Sequence, residues 1–488
     1  MSEPIRVHPE NPKCFEYRGR PLVLLTATEH YGAVMNRPFR FERYLADAGM
    51  RKQTLTRLFI LFRELQTPVN PYSTCKPESP DYIAPYPRTG PGRALDGEPQ
   101  FDLDQWNPEF FDRLHRFMTL ADEYGIIVEL VLFSNTYGAD VWALNPLNSR
   151  NNVNGLPEIN PSEYITQNCA ALWERQVQLT RKLVEELNPY GNLFYEICNE
   201  PGAHPEEPNA PTSQAEIDAW QTAIATIIRE TEAKLPHRHL LAASPCWQWA
   251  PFQQPSDPAF DNLPVDIVNI HPLCNTFHRE TEYDMGAFMA KQLRLQGLRD
   301  FSLATWRETK PVNHDEDNAA SQYKDFDGWT IHRKRAWTAL LCGCHYDYID
   351  FSIINYCETG TEASRKHIRS WLGHLSEYIH GIDLARAQPL EGWLAAWPEY
   401  TCPSVFGVPG KDYTIYLPDA RELGEPGAGD AISGNVRFEL PEGEFWTAVY
   451  SPVTGLFSPW IALRGGAVEF PVPCFKHDTV VRIVRERN

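Results

Sequence analysis

The chain has 488 residues, a formal net charge of −19, 42% hydrophobic and 12% aromatic content. Its length exceeds one ordinary core and predicts two domains, one of them a large barrel. The acidic balance excludes nucleic acid and anionic membrane surfaces as partners, since both require basic faces, and it suits a neutral ligand.

The stretch Phe15 to Leu25 reads as a tight hairpin running into a buried strand that ends at Thr26-Ala27-Thr28-Glu29-His30-Tyr31. A helix follows, with Phe41, Tyr44, Leu45 and Ala48 at helical spacing. A second strand covers 55–62. Residues 64–106 form a proline-rich insertion whose Tyr72, Tyr82 and Tyr86 favour an ordered loop. Asn107 caps the next helix, Pro108 takes its first position and Gly125 ends it. The third strand, 126–133, runs into a polar loop bearing Asn135, Tyr137 and Trp142. A helical stripe of Trp173, Val177, Thr180, Val184 and Leu187 leads to the fourth strand, which closes on Asn199-Glu200-Pro201. There proline forbids further ladder bonding.

Ser213 to Glu216 is a capping box opening another helix. Strand five ends at Ser244-Pro245, and strand six ends at His271-Pro272. A helical region around 288–298 precedes strand seven, which ends within His314-Asp315-Glu316-Asp317. A helix with Trp329, Arg333, Ala336, Trp337 and Leu340 leads to strand eight at 346–353, and a last helix carries Ile368 to Ile379. Eight strands alternating with helices predict a closed (β/α)₈ TIM barrel over residues 1–380, N-terminal hairpin included.

From about residue 381 the pattern changes to short strands separated by turns, at 413–417, 436–440, 445–450 and 479–484. Residues 381–488 are therefore expected to form a small all-β sandwich with a structural rather than carbohydrate-binding role. The 11 cysteines show no framework spacing and no paired zinc motif. With no basic–apolar signal segment at Met1 to Arg6 and no long apolar run, the expectation is a cytoplasmic protein without a membrane span.

In a barrel the carboxyl ends of all strands converge on one face. That face would present Glu29, His30, Arg57, Asn135, Glu200, Asn269, His271 and Glu316. Glu200 and Glu316 would face each other, the arrangement that retaining glycoside hydrolysis requires. A strand-end glutamate is most often a solvated loop residue; Asn199, Pro201 and a partner three units on argue for chemistry here. Asp315, Asp317 and Glu308 compete with Glu316, a choice of register. Trp142, Trp247 and Trp249 are platforms for a sugar ring or, equally, packing residues.

The Asn199-Glu200-Pro201 ending, with Glu316 on strand seven, resembles the superfamily of retaining glycosidases that carry acid/base and nucleophile on these strands. This is the clan A type, a cellulase-like barrel, here with an appended β-sandwich. The resemblance implies Glu200 as general acid/base and Glu316 as nucleophile. It also implies Asn199 on the sugar 2-hydroxyl, Arg57 supporting the nucleophile and His271 at the strand-six position. Thr28-Glu29-His30-Tyr31 departs from that pattern at strand one, so Glu29 and His30 are only general candidates for contacting the sugar. The expected activity is that of a glycosidase acting from chain ends on small oligosaccharides or glycosides, without a cofactor or metal. A homo-oligomer is compatible with the sequence. Two rivals remain, a metal-dependent barrel hydrolase using His30, His271 and carboxylates, and a non-catalytic carbohydrate-binding barrel.

Overall fold

The computed structural model describes residues 3–26, 32–61, 81–136, 139–202, 212–244, 263–270, 294–317, 329–348, 362–421 and 425–486. Eight strands build the barrel wall: β1 (Leu25–Thr26), β2 (Leu55–Phe59), β3 (Ile127–Ser134) and β4 (Leu193–Asn199), then β5 (Leu240–Ala243), β6 (Ile267–Ile270), β7 (Val312–Asp317) and β8 (His345–Tyr348). All seven ladders are parallel, in the order β1-β8-β7-β6-β5-β4-β3-β2. Where β1 meets β2, the Thr54 N–H donates to the Leu25 carbonyl at 2.9 Å. The fold is thus the barrel that the alternation predicts. Its strands are buried throughout, as in β3 and β4, because helices cover the outer faces.

The helices follow their sequence signals. α1 (Phe41–Met50) buries Phe41, Tyr44, Leu45 and Ala48. α2 (Pro108–Glu123) starts where the Asn107 side chain accepts the Glu109 N–H at 3.1 Å. Gly125, at φ 72°, supplies the left-handed residue after it. α3 (Ala170–Leu187) buries the expected Thr180, Val184 and Leu187, but in its first turns Leu172 and Gln176 face inward while Trp173 and Val177 are half-buried. Gln176 can be buried because its amide donates to the Tyr164 carbonyl and accepts from Trp220 Nε1. The expected capping box opens α4 (Gln214–Glu232). α5 is Leu295–Thr305, later than the expected 288–298, of which 288–293 lie outside the described residues. α6 (Trp329–Leu341) and α7 (Glu362–Ile379) complete the wall.

The amino end of the barrel is plugged. The hairpin of Phe15–Tyr17 and Arg20–Leu22, joined by Arg6–Val7, buries Ile5, Phe15 and Tyr17. They pack with Leu24, Leu55, Ile127, Phe194, Ala242 and Ile267, mostly first inward residues of the strands. At the opposite end the insertion after β2 folds a hairpin, Arg88–Arg93 with Pro99–Phe101. Tyr82 and Tyr86 are buried beneath it; Tyr72 lies outside the described residues. Asparagines tie this hairpin to the loop after β3. Asn151 Oδ1 accepts the Leu95 N–H, and Asn154 Oδ1 accepts the Leu103 N–H, both at 2.8 Å.

The C-terminal β-domain has more strands than its sequence suggests, and two of them are much longer. Its main strands are β9 (Ser404–Val408), β10 (Asp412–Pro418), β11 (Ile432–Ser451), β12 (Ile461–Phe475) and β13 (Asp478–Val484). The expected strands 436–440 and 445–450 are two halves of β11, joined through an irregularity between Leu440 and Glu444. Opposite it, a Cβ on Gly465 would lie 2.0 Å from the Pro441 carbonyl, so only glycine lets the strands approach. β9 and β12 lie outside the expected strands, and β12 pairs with both halves of β11. Beyond the bend, Val436 and Phe438 pack in one core with Ile415 and Val481 of β10 and β13. The antiparallel sheet thereby closes over itself as a sandwich.

This domain docks on α6 and α7. Trp337 stacks on Tyr416 at 5.3 Å, and Tyr378 meets Tyr450 at 4.8 Å. Arg333 donates from Nε and Nη2 to the two oxygens of Asp478 at 2.8 and 2.7 Å.

Candidate active site

Alternation along each strand sends every second side chain into the barrel. Above the apolar plug, the next inward layer is charged: Arg57 on β2, Glu129 on β3, Glu196 on β4, and Asp315 on β7. Arg57 and Glu129 are register partners on adjacent strands. Asn269 and Asn313 pair likewise on β6 and β7. The usual barrel interior at this level is branched and apolar.

Strand β7 breaks its own alternation, and the break makes the site. His314 points outward, its Nε2 2.8 Å from Ser302 Oγ on α5. Asp315 points inward. Glu316 should then point outward, but its backbone takes φ 53° and the ladder to β8 slips between His314 and Asp317. A bulge of this kind re-aims side chains. Asp315 and Glu316 consequently reach the same guanidinium, while Asp317 turns outward to Arg335 (2.6 Å) and the Tyr346 hydroxyl (2.9 Å). Geometry thus separates the three acidic neighbours into different roles. Glu308 sits in the loop after α5, at the start of β7, away from this end.

Arg57 is the hub. Its Nη1 donates to Glu316 at 2.5 Å, and Nε and Nη2 donate to one Glu196 oxygen at 3.1 and 2.5 Å. Nη2 also lies 3.0 Å from Asn199 Oδ1 and 3.1 Å from Asp315. Burial opposes the guanidinium charge, but Asp315, Glu196 and Glu316 outweigh it and keep Arg57 firmly protonated. Glu129 is different. Burial first, then the charges of Asp315 and Glu196, push its carboxyl well above the usual carboxylate range. It is held neutral, accepting from Asn269 Nδ2 at 2.5 Å. Asp347, buried on β8, is pushed up by burial in the same way.

Glu200 follows the end of β4 at φ 46°, the second left-handed glutamate at a strand end. Non-glycine residues hold such a backbone only when their surroundings impose it. The Asn135 side chain does so, donating from Nδ2 to the carbonyls of Glu200 (3.1 Å) and Gly202 (2.9 Å). Expected as a substrate contact, Asn135 has this amide spent on the backbone that carries Glu200. Asn199 is buried between Arg57 and Ser134 Oγ (3.3 Å). Trp142 is buried with its ring 5.2 Å from Tyr164, so it packs rather than offering a face. Glu29, His30, Trp247, Trp249 and His271 lie outside the described residues.

Sequence reading passed over Glu129 and Asp347. The signal was present, a lone acid inside the apolar run of β3 and another in β8. Glu129, Glu196 and Asp315 each bring an oxygen within 4.8 Å of the others, the spacing of a metal cluster. Arg57 hydrogen-bonds Glu196, sits 3.1 Å from Asp315 and 4.0 Å from Glu129, so the guanidinium already provides the cation there.

Comparison with known proteins agrees on the fold. A family model described as a domain of unknown function, DUF6298, matches residues 76–187. Among curated proteins, no relative matches the sequence. A solved glycoside hydrolase is 12% identical with a TM-score of 0.62, covering 99% of this chain and 97% of its own. A glycoside hydrolase family 5 structure from Bacteroides vulgatus ATCC 8482 is 12% identical with a TM-score of 0.62, covering 99% and 93%. The endo-1,4-beta-mannanase from Rhizomucor miehei is 13% identical with a TM-score of 0.51, covering 78% and 99%. At these identities the likeness is one of fold. It matches the barrel-plus-sandwich architecture.

Proposed function

We propose that the protein is a retaining glycoside hydrolase, with Glu316 as nucleophile and Glu200 as general acid/base. The observation that carries this reading is the pair of left-handed glutamates at the ends of β4 and β7, one of them bonded to Arg57. In the first step a Glu316 oxygen bonds to the anomeric carbon. The glycosidic C–O bond breaks, its electron pair leaves with the aglycone oxygen, and that oxygen takes the proton of Glu200. In the second step Glu200, now ionised, takes a proton from water as the water oxygen attacks the anomeric carbon and frees Glu316. Arg57 holds Glu316 ionised and oriented for attack.

The size of the substrate follows from the rim in the same reading. The knitted insertion hairpin and β3 loop wall one side of the mouth, which supports end-acting cleavage of small oligosaccharides or glycosides. Residues 1–380 would carry catalysis and 381–488 would serve as an accessory domain. Among the described residues no helix is long and apolar enough to cross a membrane. All seven described cysteines are unbonded, with Cys14 and Cys342 pushed up to about 12 by burial. Buried thiols of that kind support a cytoplasmic setting.

The test is a screen of nitrophenyl glycosides followed by product analysis on the substrate found. Net retention of configuration is expected, with release of terminal sugars. Inversion would overturn the mechanism, and mainly internal cleavage of a polymer would overturn the end-acting mode.

A further inference from the structure

Between Gly381 and Asp383, which follow α7, and the β-domain lies a pocket of about 790 Å³. It sits at the amino end of the barrel, where His380 Nε2 accepts the Val23 N–H just ahead of β1. Part of its wall is aromatic. The short strand Leu456–Phe457 folds back on Tyr450 and Ser451 of β11. Ser458 pins it there, its Oγ accepting the Val449 N–H at 2.9 Å and its N–H donating to the Val449 carbonyl at 2.7 Å. Phe457 stacks with Tyr378 of α7 at 6.0 Å and with Trp460 at 5.3 Å. The stack thus runs from the domain seam out to Trp460, which is half-buried in the pocket wall.

The polar part is anchored as firmly. Arg482 of β13 donates from Nε and Nη2 to the two oxygens of Asp412, at 3.2 and 2.7 Å. Its Nη2 also donates to the Gly381 carbonyl at 2.9 Å, and its guanidinium lies 5.1 Å from the Tyr378 ring centre. Each Asp412 oxygen keeps a lone pair for a further donor. Charge is balanced across the lining, with Lys411, Arg482 and Arg485 against Asp383, Asp412 and Glu486. On a chain of net charge −19, such a balance suits a neutral ligand. An aromatic wall beside hydrogen-bonding groups calls for an apolar face edged with hydroxyls, which a pyranose ring has.

We propose that this pocket is a second carbohydrate site, in which a neutral pyranose packs on Trp460 and bonds through its hydroxyls to Asp412 and Arg482. The choice of a sugar among neutral ring compounds rests on the glycosidase reading. Residues 381–488 thereby gain a binding role beyond the structural one that their sequence suggests. A short substrate does not reach from the amino end of the barrel to Glu200 and Glu316, so the site holds carbohydrate without taking part in turnover.

The test uses the full chain carrying Glu316→Gln, which leaves sugars intact, with its tryptophans replaced by 5-fluorotryptophan. The Trp460 fluorine resonance is identified by its loss in Trp460→Phe. Cellobiose, mannobiose, lactose and maltose are titrated in turn, with sorbitol, which has hydroxyls but no ring, as control. At least one disaccharide should shift the Trp460 resonance saturably, and sorbitol should not. Asp412→Asn should raise the sugar concentration at half-shift by roughly tenfold. In calorimetry Trp460→Ala should lose one class of sites and Trp460→Tyr should keep it. With Glu316 intact, both Trp460 variants should keep kcat/KM on a nitrophenyl glycoside.

A Trp460 resonance that no disaccharide moves, or that sorbitol moves equally, would overturn the proposal. Retaining turnover with a silent Trp460 would remove this site alone and leave the glycosidase reading standing. Saturable binding at Trp460 in a protein inactive on every glycoside would uphold the site and overturn the glycosidase reading instead.

Discussion

Two buried arginines in this molecule live under opposite terms. Arg333, on α6, meets Asp478 of the β-domain one to one, through two parallel bonds, with the Tyr416 hydroxyl donating to the same carboxylate at 2.9 Å. Arg57 is divided among three carboxylates and an amide. Burial works against both charges, and in both cases the neighbouring anions prevail. A balanced pair locks two domains together and has no spare capacity to do chemistry. A shared one gathers several carboxylates around a single guanidinium, an arrangement that belongs to a site rather than to a seam.

The largest effect expected from disturbing this contrast is at Glu316. Glu316→Gly should lower turnover by about 10⁴-fold or more. Azide should restore part of it, giving a glycosyl azide of inverted configuration. Full activity in the variant would show the nucleophile to be elsewhere. At the balanced arginine the effect should fall on stability. Asp478→Asn leaves Arg333 short of its anion inside the interface and should cost about 3–5 kcal/mol in denaturant unfolding, with kcat unchanged for the folded fraction. An unfolding curve superimposable on the wild type would mean that the aromatic contacts alone hold the domains.

Smaller effects separate the two settings by pH. Asp317, paired with Arg335, is held below the usual carboxylate range: burial opposes its charge, and Arg335 overcomes this. Its contribution is present above the unfolded pKa and lost as pH falls through the folded value, so Asp317→Asn should flatten acid unfolding. Glu129 runs the other way. Its folded pKa is raised, so its contribution is complete below the unfolded value near 4.5 and lost as pH rises toward the folded one. Over that window it removes about 1.4 kcal/mol per pH unit. Glu129→Gln should therefore raise the melting temperature near neutrality while leaving it nearly unchanged at pH 4. A rise of equal size at both pH values would show that Glu129 is not the proton carrier.

Most of the barrel was legible because periodicity and capping are local. Asn107-Pro108 and Ser213 to Glu216 announce their helices, and Asn199-Glu200-Pro201 announces a strand end. Counting units places Arg57 on strand two and Glu316 at the end of strand seven, where the structure has them. What stayed hidden depends on contacts across the barrel. Nothing local says that Glu316 leaves the strand's alternation, because its left-handed backbone is imposed by the ladder on either side. Nor does a lone Glu129 reveal that its carboxyl is pushed up, since the causes are its burial and then the charges on β7 and β4. Asn135 was read as a ligand contact because its partners, two backbone carbonyls beyond β4, carry no sequence signature. In the β-domain, the split reading of β11 came from Pro441 and Gly443, residues that end most strands and here only bend one.

The left-handed backbone at Glu200 and Glu316 has a consequence for engineering. Non-glycine residues in that conformation cost about 1–3 kcal/mol each. The natural chain forgoes robustness at these two places. The Glu316→Gly protein, although inert, should be the more heat-resistant of the two. Selection for thermal tolerance alone would therefore favour erasing the nucleophile, and any library screened that way needs activity as its second filter.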